Sequence, residues 1–169
     1  MNVELAVGDR VVYANYGIGR IAAREVRTAS GTTGEVVVLE FDDGLTVTLP
    51  LERAATLLRP LASEAELRLV RDALRDDGEL SVDPWLSRRR LALDKLSRGS
   101  PVELAQMVRE GAQRERLRLA KGTKPQLSSG ELEIFTKARR LLSSEIALAR
   151  GIQPEAADGW IDEQLTRPA

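Results

Sequence analysis

Hydrophobic period changes once along this chain, at Pro60, and that change splits the sequence into two folding problems. From Arg10 to about Leu58 the apolar residues fall in short β-rich runs: Val11 to Tyr13, Ile21 to Val26, Val36 to Phe41 and Leu45 to Leu49. Gly17 and Gly19, Ser30 to Gly34, and Asp42-Asp43-Gly44 separate them. The last is a tight-turn signal, so Val36 to Phe41 and Leu45 to Leu49 are predicted to pair as an antiparallel hairpin. In Leu45-Thr46-Val47-Thr48-Leu49 strict alternation puts three apolar side chains on one face and both threonines on the other.

After Pro60 the start and stop signals are helical. Ser63 with Glu66, Ser100 with Glu103 and Ser128 with Glu131 are capping-box patterns, and Asp83-Pro84 offers an N-cap followed by proline at the first helical position. Gly78, Gly99, Gly122 and Gly151 lie where these segments close, and a last helix is predicted near Pro154 with Trp160, Ile161 and Leu165. The expected fold is therefore a small Tudor-like or SH3-like β-barrel over residues 1–60, joined to an all-α domain of about five helices over 61–169. An open barrel edge offers a docking surface for a partner strand.

The sequence contains no cysteine and no histidine. Disulfides, thiolate nucleophiles, Cys/His zinc sites and a catalytic imidazole are excluded, and no arrangement of carboxylates, lysine or serine stands out as an enzyme centre. Gly17-Ile-Gly19 lacks both a third glycine and a following helix, and no GxxxxGK[ST] is present, so ATP binding is not expected. Asp42-Asp43 and Asp76-Asp77 each adjoin a turn glycine and read as turn residues rather than metal ligands. No cofactor and no metal are expected. No run approaches the roughly 18 apolar residues of a membrane helix and no charged-then-apolar leader precedes Val7, so a soluble, cytoplasmic chain is expected.

Positive charge is concentrated. Residues 84–124 hold 11 basic against 4 acidic residues, while the segments 1–60, 61–83 and 125–169 are each net acidic. Such a block either attracts phosphates or is the solvated face of arginine-rich helices. Within it lies Pro84-Trp-Leu-Ser-Arg-Arg-Arg90. At 100° per residue from Trp85, Leu86, Leu93 and Leu96 fall at about 100°, 80° and 20°, and Arg88, Lys95 and Arg98 at about 300°, 280° and 220°. Trp85 stands on the border, where it either caps an apolar stripe or projects as a wedge between neighbouring arginines.

The opening run from Val7 to Ile21, with Gly8-Asp9, Val11-Val12-Tyr13 and Gly17-Ile-Gly19, resembles the amino-terminal polymerase-interaction module of CarD/CdnL transcription regulators and transcription-repair coupling factors. The likeness continues through Pro50 and into a helical half similar to the rest of a CarD-type protein. It implies a regulator, not an enzyme, that docks on the RNA polymerase β subunit through the barrel and modulates promoter open-complex stability. Arg27 matches a basic position of the family's polymerase-binding surface, and Val47, Thr48, Leu49 and Pro50 form the corresponding strand, with Thr48 where a basic residue is usual. On the helical side the resemblance implies that Trp85 inserts at the upstream edge of the bubble. Arg88 matches one basic residue of the following pair and Arg90 a basic position beyond it, whereas Ser87 and Arg89 depart from the pattern. Arg88, Arg89, Arg90, Lys95 and Arg98 are the expected backbone contacts to promoter DNA, chiefly in the minor groove with little sequence specificity. No membrane partner is implied, and a monomer is expected. The alternative is an adaptor whose helical half binds another protein; an exposed indole favours DNA, a buried one the adaptor.

Overall fold

The computed structural model describes residues 4–122 and 127–169, and of Asn15 the backbone alone. The chain forms two compact units, Met1–Leu61 and Ala62–Ala169. The first contains β1 (Arg10–Tyr13), a 3-10 turn (Ala14–Tyr16), β2 (Gly17–Ala29), β3 (Thr32–Phe41), β4 (Thr46–Pro50), α1 (Leu51–Leu57) and β5 (Leu58–Pro60). The strands make one antiparallel sheet in the order β4-β3-β2-β1-β5. A flat sheet of this order would hold β4 and β5 about 19 Å apart, at roughly 4.8 Å per strand. The seven residues of α1 join them over about 10 Å. The sheet must therefore curl into the barrel-like form anticipated from its short strands. Val11, Ile21, Val37, Leu39, Phe41, Leu49, Ala54 and Leu58 fill the interior.

One local expectation for this unit is corrected. The break expected from Ser30 to Gly34 shrinks to Ser30-Gly31, whose φ values of 51° and 81° make the left-handed pair that matches hairpin twist. Thr32 to Glu35 instead extend the ladder opposite Val26 to Ala29, supported by the Thr28–Thr33 hydroxyl contact at 2.8 Å and by Arg24 Nε donating to Glu35 at 2.8 Å. Beyond the last β-rich run, the chain forms α1, which starts directly after Pro50 and buries Ala54. The Asp42-Asp43-Gly44 turn forms as expected. Phe41 N–H donates to Leu45 O, Gly44 N–H to Phe41 O, and Leu45 N–H to the Asp43 carboxylate.

The second unit is five helices: α2 (Glu64–Arg75), α3 (Trp85–Arg98), α4 (Pro101–Ala120), α5 (Ser129–Arg150) and α6 (Pro154–Thr166). Leu67, Val70 and Leu74 of α2, Leu104 and Met107 of α4, Phe135, Leu142 and Ile146 of α5, and Ile161 of α6 share one core. The capping boxes Ser63–Glu66 and Ser128–Glu131 are both made, and Gly99 and Gly151 close α3 and α5 in the left-handed conformation. Gly111 lets α4 approach α5; a Cβ there would lie 2.8 Å from Phe135 Cγ.

Several cap expectations differ from the structure. Ser100 makes no side-chain cap, and the Glu103 carboxylate is held by Arg98. Asp83 is not the N-cap of α3: its carboxylate accepts from the Ser81 hydroxyl at 2.9 Å, and Pro84 takes the cap position. Helix α2 ends at Arg75, before Gly78, which lies in the following loop against Asp76 and Arg109. Leu148 of α5 is exposed. Trp160 does pack on the bundle, with the Arg150 guanidinium 4.6 Å from its ring centroid.

Candidate functional surfaces

Register decides which strand residues share a face. Glu25 pairs with Val36 and Val36 with Pro50; Arg27 pairs with Gly34, and Val38 with Thr48. Because side chains alternate, Glu25, Arg27, Val36, Val38, Thr48 and Pro50 form the outer face, while Val47 and Leu49 point with Val37 and Leu39 into the core. Arg27 Nε donates to Glu25 at 2.8 Å, and both side chains remain largely in solvent. Strand β4 is outermost in the sheet order and pairs with β3 on one side. Of the five expected polymerase-binding residues, Arg27, Thr48 and Pro50 thus present side chains outward. Val47 and Leu49 have only backbone to offer, as edge-strand pairing requires.

Helix α3 is rotated about its axis relative to the orientation expected from its leucines. Its bundle-facing stripe is Trp85, Arg88, Ala92, Lys95 and Leu96, whereas Leu86, Arg89, Arg90, Leu91 and Leu93 are exposed. Arg88, expected to face solvent, is only 13% exposed: Nη2 donates to Glu131 Oε1 at 2.8 Å, Nη1 lies 3.7 Å from Glu110, and Nε donates to the Asp83 carbonyl at 3.0 Å. Lys95 donates to Gln106 at 3.2 Å, and Arg98 to Glu103 at 2.7 Å. The physical reason is electrostatic. Glu110 and Glu131 on α4 and α5 offer acceptors on the inner side, so a guanidinium is preferred there to Leu86 or Leu93.

Trp85 is half-buried. It packs on the helical core, a Cβ built on Gly130 would touch Cζ2 at 3.6 Å, and the Arg88 guanidinium carbon lies 5.2 Å from its ring centroid. Neither a fully exposed wedge nor a core plug describes it. Arg89 and Arg90, by contrast, are exposed and make no ion pair among the described residues.

Most of the basic block is internally committed. Arg109 donates to Asp76 at 2.9 Å; Arg114 bridges Glu110 and the Ser81 carbonyl, each at 2.9 Å; and Arg118 lies 3.7 Å from Glu131. Arg109 and Arg114 thereby pin the loop between α2 and α3 onto α4. Beside this loop an open groove of about 950 Å³ is bounded by Leu80, Val82, Arg88, Arg114, Leu117 and Lys121. Burial works to raise the Glu131 carboxyl, but hydrogen bonds from Arg88 and Ser128 outweigh it and hold the group below its ordinary value. Glu103 is lowered chiefly by its hydrogen bond from Arg98. Sequence reasoning missed the Glu110–Arg88–Glu131 cluster; the Ser128–Glu131 capping box places Glu131 but carries no sign of an arginine 43 residues earlier.

Among the described residues no group of three or more acidic side chains is arranged to hold a metal ion, and no helix is long and apolar enough to cross a membrane. Comparison with known proteins gives a consistent picture. The CarD-like/TRCF RID domain matches residues 5–62, and the CarD C-terminal domain matches residues 69–162. A Bacillus subtilis (strain 168) protein, the candidate transcription factor YdeB, is 24% identical over 148 residues, covering 86% of this chain and 92% of that one. The solution NMR structure of the 72-residue N-terminal domain of Myxococcus xanthus CarD is 35% identical, covers 37% of this chain and 87% of that chain, and superposes with a TM-score of 0.31.

Proposed function

This chain belongs to the CarD family of RNA polymerase-interacting transcription regulators, and from that membership we propose that it docks on the polymerase β subunit and alters open-complex lifetime by touching promoter DNA upstream of the melted region. The observation that carries the reading is the presence of both family domains, in order, in one chain. In the strand unit, edge strand β4 would pair with an extended segment of the β subunit, with Arg27, Thr48 and Pro50 on the adjoining outer face. In the helical unit, the α3 region of Trp85, Arg89 and Arg90 would meet DNA, with Arg89 and Arg90 as phosphate contacts. Arg88, Lys95 and Arg98 would act through the position of α3, since the partners they hold lie within the unit.

Such a regulator needs no catalysis. It changes a lifetime by binding one state of the promoter more tightly than another. Co-purification with RNA polymerase, followed by open-complex lifetime with and without the protein, tests the reading. Association together with a changed lifetime is expected; failure to associate overturns it. The second reading, a protein partner for the helical unit, draws on the exposure of Leu86, Leu91 and Leu93, and predicts an unchanged lifetime with polymerase bound.

A further inference from the structure

One end of the sheet gathers stacked aromatic rings and unpaired acids. The register brings three segments there: Tyr13 pairs with Gly17 across the first turn, Gly19 with Phe41, and Glu40 with Thr46 across the Asp42-Asp43-Gly44 turn. Tyr16, in the 3-10 turn, stacks on Tyr13 with ring centroids 5.0 Å apart and planes inclined by 17°, and Phe41 lies 6.4 Å from it at 42°. Gly19 makes room for this backing, since a Cβ there would stand 3.1 Å from Phe41 Cε1. With one face laid on Tyr13, Tyr16 is still 59% exposed, so its other face is open to water. The turn that presents it holds Ala14 at a φ of 37°, left-handed backbone that alanine adopts only at a cost.

Asp42 and Asp43 follow Phe41 directly, are exposed, and make no ion pair among the described residues. Asp43 Oδ1 accepts from Leu45 N–H at 3.0 Å, which fixes the turn and leaves the second carboxylate oxygen outward. The basic side chains of this end are already engaged: Arg20 donates to Glu40 at 3.2 Å and Arg59 to the Pro60 carbonyl at 3.1 Å. Arg53 stands in the first turn of α1, which starts from the opposite end of β4. An open ring face thus lies beside negative charge that the unit does not neutralise. From this arrangement we propose that Tyr16, Asp42 and Asp43 form a docking site for an arginine side chain of a partner polypeptide, separate from the β4 edge. The guanidinium plane rests on the outer face of Tyr16 and its N–H donors reach the carboxylates of the turn. A planar, weakly hydrated cation suits such a platform better than a lysine ammonium, which holds its water and has no plane to stack. A nucleic-acid base could also stack on Tyr16, but its phosphates would meet Asp42 and Asp43, so the charge selects a cation.

The test titrates the full-length protein with acetyl-Gly-Arg-Gly-amide, with the same peptide carrying lysine, and with the same peptide carrying citrulline, the neutral isostere of arginine. Backbone amide and tyrosine ring signals are followed by NMR. The arginine peptide is expected to shift signals of residues 13–17 and 41–45, and citrulline to bind about tenfold more weakly. Tyr16→Ala is expected to weaken the arginine peptide by a similar factor, and Tyr16→Phe, which keeps the ring, to bind it as the parent does. Asp42→Asn with Asp43→Asn retains the acceptor for Leu45 N–H, hence the turn and the stacked rings, and is expected to lose binding at unchanged melting temperature. That double variant decides the matter if Tyr16→Ala lowers the melting temperature. Equal shifts from the citrulline peptide overturn the proposal, as does full arginine binding by the double variant. A lysine peptide that binds as tightly overturns the assignment to a guanidinium. Adenosine monophosphate shifting the same signals more strongly than the arginine peptide would give the platform to a base, and the absence of any shift at this end removes the site.

Discussion

Arg88 on α3 donates from Nη2 to Oε1 of Glu131, the third residue of α5, at 2.8 Å, and this bond between two largely buried side chains joins the two helices. Glu131 is at the same time the acidic half of the Ser128 capping box, so one carboxylate caps α5 and anchors α3. Its place at a helix N-terminus favours the charged form, as does the guanidinium.

Removing Arg88 should therefore damage the fold before it damages any DNA contact. Arg88→Ala leaves a carboxylate of 5% exposure without its main partner, and a loss of about 3 kcal/mol is expected in urea or thermal unfolding. The double variant with Glu131→Gln should lose less than the sum of the single effects, because no unpaired buried charge remains. Equal and additive losses would show that the pair is not coupled.

Stability should also depend on acid through this site. The Glu131 carboxyl is lowered from its ordinary value of 4.5, so the stabilisation it contributes is fully present above that pH and is lost as pH falls through the depressed folded value. Glu103, also lowered, adds in the same direction. Denaturation midpoints measured downward from pH 6 should fall less steeply below pH 4.5 in Glu131→Gln than in the parent.

Gly111→Ala tests the close approach of α4 and α5. Alanine gains about 1 kcal/mol of helix propensity over glycine, but the new Cβ meets the base of the Phe135 ring at 2.8 Å, and overpacking costs about 1–3 kcal/mol. Net destabilisation is expected by thermal melting. A more stable protein would mean that Phe135 has room to move.

On the strand unit, Arg27→Glu should weaken association with the polymerase β subunit, and Thr48→Lys, which adds a cation to the same outer face, should strengthen it, both read by co-purification at several salt concentrations. Leu49→Ala should lower the stability of the unit by about 2–5 kcal/mol, since that side chain faces the core. Residues 62–169 alone should fold, having a separate core, yet fail to co-purify. Retained binding by that fragment would exclude the sheet as the docking element.

The two modules, the Asp42-Asp43-Gly44 hairpin, the capping boxes at Ser63 and Ser128, and the glycine ends of α3 and α5 were legible along the chain, because these depend on residues within a few positions of one another. The pairing of Thr32 to Glu35 with Val26 to Ala29 lay just beyond that range, as did the helix Leu51–Leu57 between two sheet edges. The orientation of α3 about its own axis was decided by tertiary structure alone. Its leucines suggested an apolar inner stripe, but Glu110 and Glu131 come from other helices and draw Arg88 inward, turning Leu86, Arg89, Arg90 and Leu93 to solvent. A hydrophobic wheel ranks side chains by their affinity for an average interior, and this interior contains two carboxylates that need a cation.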